Sequence, residues 1–192
     1  MSRIFCIVGK SSSGKDTLYR GILAQSPELI PVVPYTTRPR RVTERDGVDY
    51  WFVTDAQLEQ LEREGRVIEK RCYQTIQGPW NYFTVRFEPD ERRDRIMITT
   101  LEGAKALMAH YGADAVHVVY LQADDKTLLL RYIERESLQE KPEFAEVCRR
   151  FLTDRADFAE EKLSVFPNLY RIDANQSPEA CLKSWERIYN TL

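Results

Sequence analysis

The residues best suited to chemistry stand near the start of the chain, between a short apolar run and a stretch typical of a helix. They are Gly9, Lys10, Ser11, Ser12, Ser13, Gly14, Lys15, Asp16 and Thr17. Glycines allow such a loop to turn its backbone N–H groups inward, and the helix that follows presents the positive end of its dipole. A lysine placed as Lys15 reaches the β- and γ-phosphates of a bound nucleotide. The segment therefore predicts a phosphate-binding loop, the alternative being a Gly/Ser turn with an exposed lysine.

The position after the lysine suggests a metal. A loop of this pattern normally has Ser or Thr there, whose hydroxyl binds Mg²⁺, whereas this chain has Asp16, followed by Thr17. A carboxylate is also a hard oxygen ligand. We therefore expect Asp16 to contribute to a magnesium site.

A second segment could hold another phosphate. Residues 36–41 read Thr-Thr-Arg-Pro-Arg-Arg, and Tyr50 follows nine positions later. Two guanidinium groups and a tyrosine hydroxyl can bind a phosphomonoester through charge-assisted bonds, although a solvated basic loop would have the same composition. A donor site and an acceptor site in one chain are what phosphoryl transfer requires.

The elements that must position these groups alternate between strand and helix. Apolar runs at residues 4–8, 95–99, 116–121 and 169–172 predict strands, and the segments between them predict helices, among them 15–25, 103–111 and 177 onward. This order is typical of an α/β fold with a parallel sheet flanked by helices. Residues 124–136 and 143–163 predict two further helices, the first capped by Asp124 or Asp125.

The stretch 34–94 differs in composition and predicts an inserted subdomain. It is rich in Arg, Tyr, Trp and Pro, and short strands at 50–53, 66–69 and 82–87 indicate an antiparallel arrangement. Between them, Asp55 could cap a helix over 56–64. We expect a single domain over residues 1–192.

Composition narrows the class of protein. The net charge of -2 gives no general attraction to polyanions, so nucleic acid is not a favoured partner. The four cysteines form no C-x-x-C pair, which favours reduced thiols in a cytoplasmic protein. No apolar run is long enough to cross a membrane, and no signal region precedes the first strand.

His117, one of two histidines, lies in a probable strand and is expected to be structural. The oligomeric state is left open.

The second segment, read with the first, resembles the guanylate kinase family. Residues 36–52 contain Thr-Thr-Arg, then Pro, two arginines, Glu44 and Gly-Val-Asp-Tyr-Trp-Phe, at spacings similar to that family's signature. The resemblance implies a P-loop kinase core (1–33, 95–125 and 150–192), a mainly antiparallel nucleoside-monophosphate-binding insert (34–94) and a helical lid (126–149). It also implies transfer of the γ-phosphoryl group of ATP to GMP or dGMP with Mg²⁺.

Site residues follow from the resemblance position by position. The implied ATP-binding residues are those of the segment 9–17. The implied GMP-binding residues are Arg38, Arg41, Glu44, Tyr50, Glu69, Tyr82 and Thr84. Glu69 would accept from guanine N1–H and N2–H, a role that suits an acceptor-only carboxylate. The implied catalytic residues are Lys15, Arg38, Arg131, Arg135 and Arg150, whose charges would stabilise the transferring phosphoryl group.

The chain departs from the family pattern at positions that touch the base and the metal. Pro34 stands where a serine would donate to guanine O6, and proline offers neither a hydroxyl nor an N–H. Ile98 and Thr100 stand where two aspartates would help to hold Mg²⁺ and to accept from guanine N2. Asp16 or Glu102 could replace the missing metal-site acid.

These departures leave two alternatives. One is a P-loop kinase acting on another small phosphorylated acceptor, and the other is a catalytically silent module that binds a partner.

Overall fold

A computed structural model describes residues 2–75, 78–88 and 93–192. Its strands are β1 (Ile4–Gly9), β2 (Ile30–Pro31), β3 (Tyr35–Thr36), β4 (Trp51–Phe52), β5 (Val67–Thr75), β6 (Gly78–Val85), β7 (Arg95–Ile98), β8 (Val116–Gln122) and β9 (Leu169–Asp173). Its helices are α1 (Lys15–Gln25), α2 (Asp55–Arg63), α3 (Leu101–Tyr111), α4 (Asp125–Ser137), α5 (Phe144–Asp157), α6 (Glu160–Leu163) and α7 (Pro178–Thr191).

A five-stranded parallel sheet forms the centre of the molecule, in the order β2-β7-β1-β8-β9. All six residues of β1 are buried because neighbouring strands flank it and helices cover both faces. The phosphate-binding loop begins where β1 ends. It therefore opens at the carboxyl edge of the sheet, where ligands of open α/β folds bind.

Side chains from β1 alternate between two cores. One face of the sheet packs with α1 and α7, where Phe5 contacts Trp185 edge to face at 5.0 Å. The other face packs with α3 and α6, where Cys6 and Leu107 are buried. This alternation follows from the two-residue period of a strand.

A smaller sheet, in the order β4-β3-β6-β5, is formed by the insert. Its pairs are antiparallel except for β3 with β4. On one face Leu58 of α2 packs against Phe83 and Val85. Since Thr84 lies between these two residues on β6, it points to the opposite face, where Glu69 is its cross-strand neighbour.

The α/β fold class with a parallel sheet and a mainly antiparallel insert is confirmed. The hairpin strands are longer than predicted, because β5 continues to Thr75 and β6 begins at Gly78. The cap of α2 is Thr54, not Asp55. Thr54 and Gln57 form a reciprocal capping box there.

The long helix predicted over 143–163 is wrong, since α5 and α6 are separate. Ala159 has an extended backbone between them, and the ring of Phe158 stacks on Tyr120 with centroids 5.4 Å apart. Burying that ring against the sheet favours a break in the helix over its continuation.

His117 is buried between Phe5 and Tyr170, and burial lowers its pKa. This environment is that of a packed structural histidine. Among the described residues, no helix has the length and apolar character needed to cross a membrane.

Candidate active site

The phosphate-binding loop owes its shape to two residues with left-handed backbone. Gly14, at φ 95°, precedes α1, and Ser12 has φ 61°, an unusual value for a residue with a side chain. The ammonium of Lys15 lies inside the loop and donates to the carbonyls of Gly9 and Lys10 at 2.8 and 2.9 Å. Burial lowers the pKa of Lys15, and the nearby carboxylates of Asp16 and Asp154 offset part of this effect.

Asp154 of α5 contacts the same loop. Its carboxylate accepts the backbone N–H of Ser11 at 2.6 Å and the hydroxyl of Tyr132 at 3.1 Å. Sequence reasoning missed this residue. Its position one helical turn after Arg150 was the available signal.

A cavity of about 250 Å³ lies beside the loop and is lined by several positively charged side chains. Lys15, Asp16 and Thr17 line it from α1, and Arg131 and Arg135 line it from α4. Three positive side chains and the Asp16 carboxylate therefore face one cavity, so the predicted phosphate-binding residues of the loop and of α4 lie together.

An adjoining cavity of about 260 Å³ extends the first toward α7. Leu18, Leu121 and Pro178 contribute apolar lining, and Arg131 lies at both cavities. The hydroxyls of Ser12 and Ser13 are buried without a hydrogen-bond partner in the described chain.

Arg150 is arranged differently from the other implied catalytic arginines. Its Nε donates to Glu146 at 2.7 Å on the same helix, and it lines neither cavity in the part of the chain described. The hydrogen bonds from Arg149 and Arg150 lower the pKa of Glu146 to about 2. The structure thus brings Arg131 and Arg135 to the loop but not Arg150.

The segment predicted to hold a second phosphate is centred on Arg38, which is buried. Its two terminal nitrogens donate to Glu44 at 3.0 and 2.7 Å, and its Nε donates to the hydroxyl of Tyr82 at 3.1 Å. The hydrogen bond from Arg38 is the main reason that the pKa of Glu44 lies below its usual value. These contacts hold the Arg38 guanidinium in a fixed orientation.

Arg41 and Tyr50 flank this centre. The backbone N–H of Arg41 donates to Glu44 at 2.9 Å, and its side chain is exposed. Tyr50 packs edge to face on Tyr82, and the Arg38 guanidinium lies 5.6 Å from the Tyr50 ring centre.

The residues implied to contact a base lie on the β5–β6 hairpin. Glu69 accepts the hydroxyl of Thr84 at 2.8 Å, and its second oxygen lies 3.2 Å from Nε of Arg71. Sequence reasoning did not select Arg71. The two-residue strand period, which puts residues 69 and 71 on one face, would have identified it.

The departures from the family pattern have structural explanations in two cases. Ile98 packs against the core on the α1 side of the sheet, and the Thr100 hydroxyl caps α3 by accepting the N–H of Gly103 at 3.1 Å. Pro34 contributes its carbonyl, which accepts the N–H of Trp51 at 2.9 Å. Glu102 lies exposed in the first turn of α3. Across the described ranges, no three His, Cys, Asp or Glu residues cluster in a way that could hold a metal by themselves.

Comparison with known proteins decides the family. The model of the family described as guanylate kinase matches residues 1–146. This chain belongs to the guanylate kinase family. The resemblance drawn from the sequence is thereby confirmed.

Relatives within the guanylate kinase family are moderately similar to this chain. The guanylate kinase of Symbiobacterium thermophilum is 31% identical over 163 residues, covering 84% of this chain and 74% of the relative. That of Thermobifida fusca is 31% identical over 165 residues, covering 83% and 79%. A crystal structure of guanylate kinase from Anaplasma phagocytophilum matches 99% of this chain and 85% of its own, with a TM-score of 0.65 at 15% identity. This last match supports the fold.

Proposed function

We propose that the protein transfers the γ-phosphoryl group of ATP to a nucleoside monophosphate, GMP or dGMP, giving GDP or dGDP and ADP. The observation that carries the proposal is the presence of two separate anion sites. One is the loop 9–17 with Lys15, and the other is the braced Arg38. Family membership supports the choice of acceptor.

The proposed step is an in-line displacement. An oxygen of the acceptor phosphate attacks the γ-phosphorus, the bond to the β–γ bridging oxygen breaks, and ADP leaves with that oxygen. Lys15, Arg131 and Arg135 would stabilise the charge on the transferring group because they line one cavity. Mg²⁺, when bound, neutralises charge on the β- and γ-phosphates.

The acceptor would be held at both ends. Arg38, Arg41, Tyr50 and Tyr82 would bind its phosphate, with Glu44 orienting Arg38. Glu69 and Thr84 would contact the base. We further propose that residues 34–94 form the acceptor subdomain and 126–149 the lid, and that the enzyme acts on small nucleotides in the cytoplasm.

The deciding experiment measures ADP formed from Mg-ATP with GMP, dGMP, AMP, CMP, UMP and dTMP as separate acceptors. We expect turnover with GMP and dGMP that disappears in Lys15→Ala and survives in Lys105→Ala, an exposed lysine of α3. Lys15-dependent turnover only with some other phosphorylated acceptor would overturn the choice of guanine. If the wild-type protein turns over none of these acceptors, the kinase proposal fails and the alternative of a catalytically silent binding module is favoured.

The metal assignment has its own test. Asp16→Ala should raise the Mg²⁺ concentration needed for half-maximal rate, whereas Glu102→Ala should not. An unchanged magnesium requirement in Asp16→Ala would reject Asp16 as the metal-site acid.

A further inference from the structure

One face of the β5–β6 hairpin carries a carboxylate and a guanidinium side by side. Glu69 and Arg71 are two residues apart on β5, opposite Thr84 and Tyr82 of β6. The reverse face is occupied by Lys70, which pairs with Glu62 of α2. Glu69 and Arg71 therefore lie together on the face that also presents Tyr82, the partner of Arg38.

We propose that Arg71 recognises the acceptor base together with Glu69, by donating to O6 of guanine. This inference rests on the proposed function and assigns a specificity-determining residue to its acceptor site.

The hydrogen bonds of Arg71 leave it free to act in this way. It uses Nε toward Glu69 at 3.2 Å, and its two terminal nitrogens have no hydrogen-bond partner among the described residues. Its side chain is 29% exposed, whereas that of Glu69 is 9% exposed. The ion pair thus fixes the orientation of the guanidinium and leaves its outer N–H groups available.

Glu69 retains capacity for the base as well. One oxygen accepts from Thr84 and the other from Arg71. Each carboxylate oxygen has a second lone-pair direction, so both can still accept from a ligand. Two partly buried hydrogen bonds hold this carboxylate in a fixed position.

The order of hydrogen-bond acceptors and donors in the Glu69–Arg71 pair is complementary to guanine. Guanine presents two donors, N2–H and N1–H, followed by the acceptor O6, with N7 beyond it. A carboxylate beside a guanidinium presents acceptors followed by donors, and arginine is a frequent partner of guanine O6 and N7. Adenine presents an N6 donor where guanine presents O6, and this donor would meet the cation. The pair is therefore complementary to guanine and unfavourable to adenine.

Pro34 cannot donate the hydrogen bond to guanine O6 that a serine at this position would supply. It has no N–H, and its carbonyl already accepts from Trp51. A guanidinium anchored on the hairpin supplies the donor from a different element.

The test compares GMP with 6-thioguanosine 5′-monophosphate, in which sulfur, a weaker acceptor, replaces O6 while N1–H and N2–H remain. Arg71→Met keeps the aliphatic stem and removes the donors. We expect kcat/KM for GMP to fall by about tenfold to a hundredfold, the discrimination expected of an arginine–guanine contact. The thio analogue should lose much less, so that the preference for GMP shrinks.

Two further variants complete the design. Lys70→Met removes a cation from the other face of the same strand and should leave the preference unchanged. Arg71→Lys keeps the positive charge but lacks the planar guanidinium. It should give a preference for GMP over the thio analogue between those of the wild type and Arg71→Met. It replaces Arg71→Met in the comparison if that variant does not fold.

Each outcome separates the two proposals. Equal losses with both acceptors, or no loss with GMP, would overturn the role of Arg71 while leaving GMP kinase activity in place. If the wild-type protein does not turn over GMP, the proposed function fails. Calorimetric titration with GMP then decides the inference, which stands if Arg71→Met weakens binding of GMP more than that of the thio analogue, and otherwise falls.

Discussion

The carboxylate of Glu44 shows how a single side chain can prepare a phosphate site. It accepts two hydrogen bonds from Arg38 and one from the Arg41 backbone. Arg38 is buried, so without this partner its charge would be costly to keep in place. In the proposed acceptor site, Glu44 would thus act through Arg38, as a positioning residue.

Replacing Glu44 by Gln should therefore weaken use of the acceptor and not of ATP. We expect kcat/KM for GMP to fall by about tenfold or more, since hydrogen bonds between charged groups contribute roughly 1.5–3 kcal/mol. The KM for ATP should be unchanged. Glu64→Gln, at an exposed acid beyond α2, is the matched control, and equal effects of the two changes would contradict the role of Glu44.

The same contact predicts how the acceptor site responds to pH. Arg38 lowers the pKa of Glu44 below the ordinary 4.5, so the carboxylate contributes above that value and is lost only as pH falls through the lowered pKa. Bracing by Glu44 should therefore be constant between about pH 5 and 8. A ratio of wild-type to Glu44→Gln kcat/KM that declines across this range would contradict the prediction.

The four cysteines should differ in reactivity. Burial raises the pKa of Cys6 to about 12 and also raises that of Cys181, whereas Cys72 and Cys148 are exposed. Since the thiolate is the reactive form, a thiol reagent should modify two groups rapidly in the native protein and all four after denaturation. Cys72→Ser should remove one rapid group, and rapid modification of Cys6 would contradict the burial of β1.

At the scale of elements, the insert depends on a helix that lies behind its sheet. Leu58 of α2 is buried against Phe83, and Thr54 and Gln57 satisfy the first N–H groups of that helix. Since Phe83 and Thr84 are neighbours on β6, packing on one face of the hairpin determines where the residues proposed to bind the base stand on the other.

Removing the cap should therefore cost stability. Thr54→Ala is expected to lower the free energy of unfolding by about 1 kcal/mol, measured by urea denaturation. Thr191→Ala, in the last turn of α7, is the control and should have a smaller effect, because its exposed hydroxyl donates to the carbonyl of Arg187 and caps no helix N-terminus. Equal losses would show that the capping box adds nothing beyond an ordinary surface contact.

At the scale of the whole molecule, side chains of α4 and α5 contact the phosphate-binding loop. Lys10 pairs with Asp125 at 3.2 Å, and Ser11 binds Asp154 at 2.6 Å. Arg131 and Arg135 line the same cavity as Lys15. Binding of a polyphosphate would draw these cations to the loop, and the proposed lid would move with them.

Hydrogen exchange can test lid closure. Adding a non-hydrolysable ATP analogue with Mg²⁺ should protect residues 136–143, the end of α4 and the segment that leads to α5, in the wild-type protein and not in Lys15→Ala. Unchanged exchange in the wild type, with binding shown by calorimetry, would contradict a closing lid.

The sequence by itself determined the features whose causes are local. The phosphate-binding loop, the parallel strands, the insert and the helix that starts after Ser177 follow from short patterns of glycine, apolar period and hydroxyl placement. The sequence left the cap of α4 open between Asp124 and Asp125, and in the structure it is Asp124. Tertiary structure decided what depends on distant partners. Asp154 meets Ser11 across 143 positions, Phe158 breaks a helix to reach Tyr120, and Arg150 turns to Glu146 instead of the loop. A local pattern specifies backbone conformation, whereas the partner of a charged side chain depends on where the fold brings the next charge.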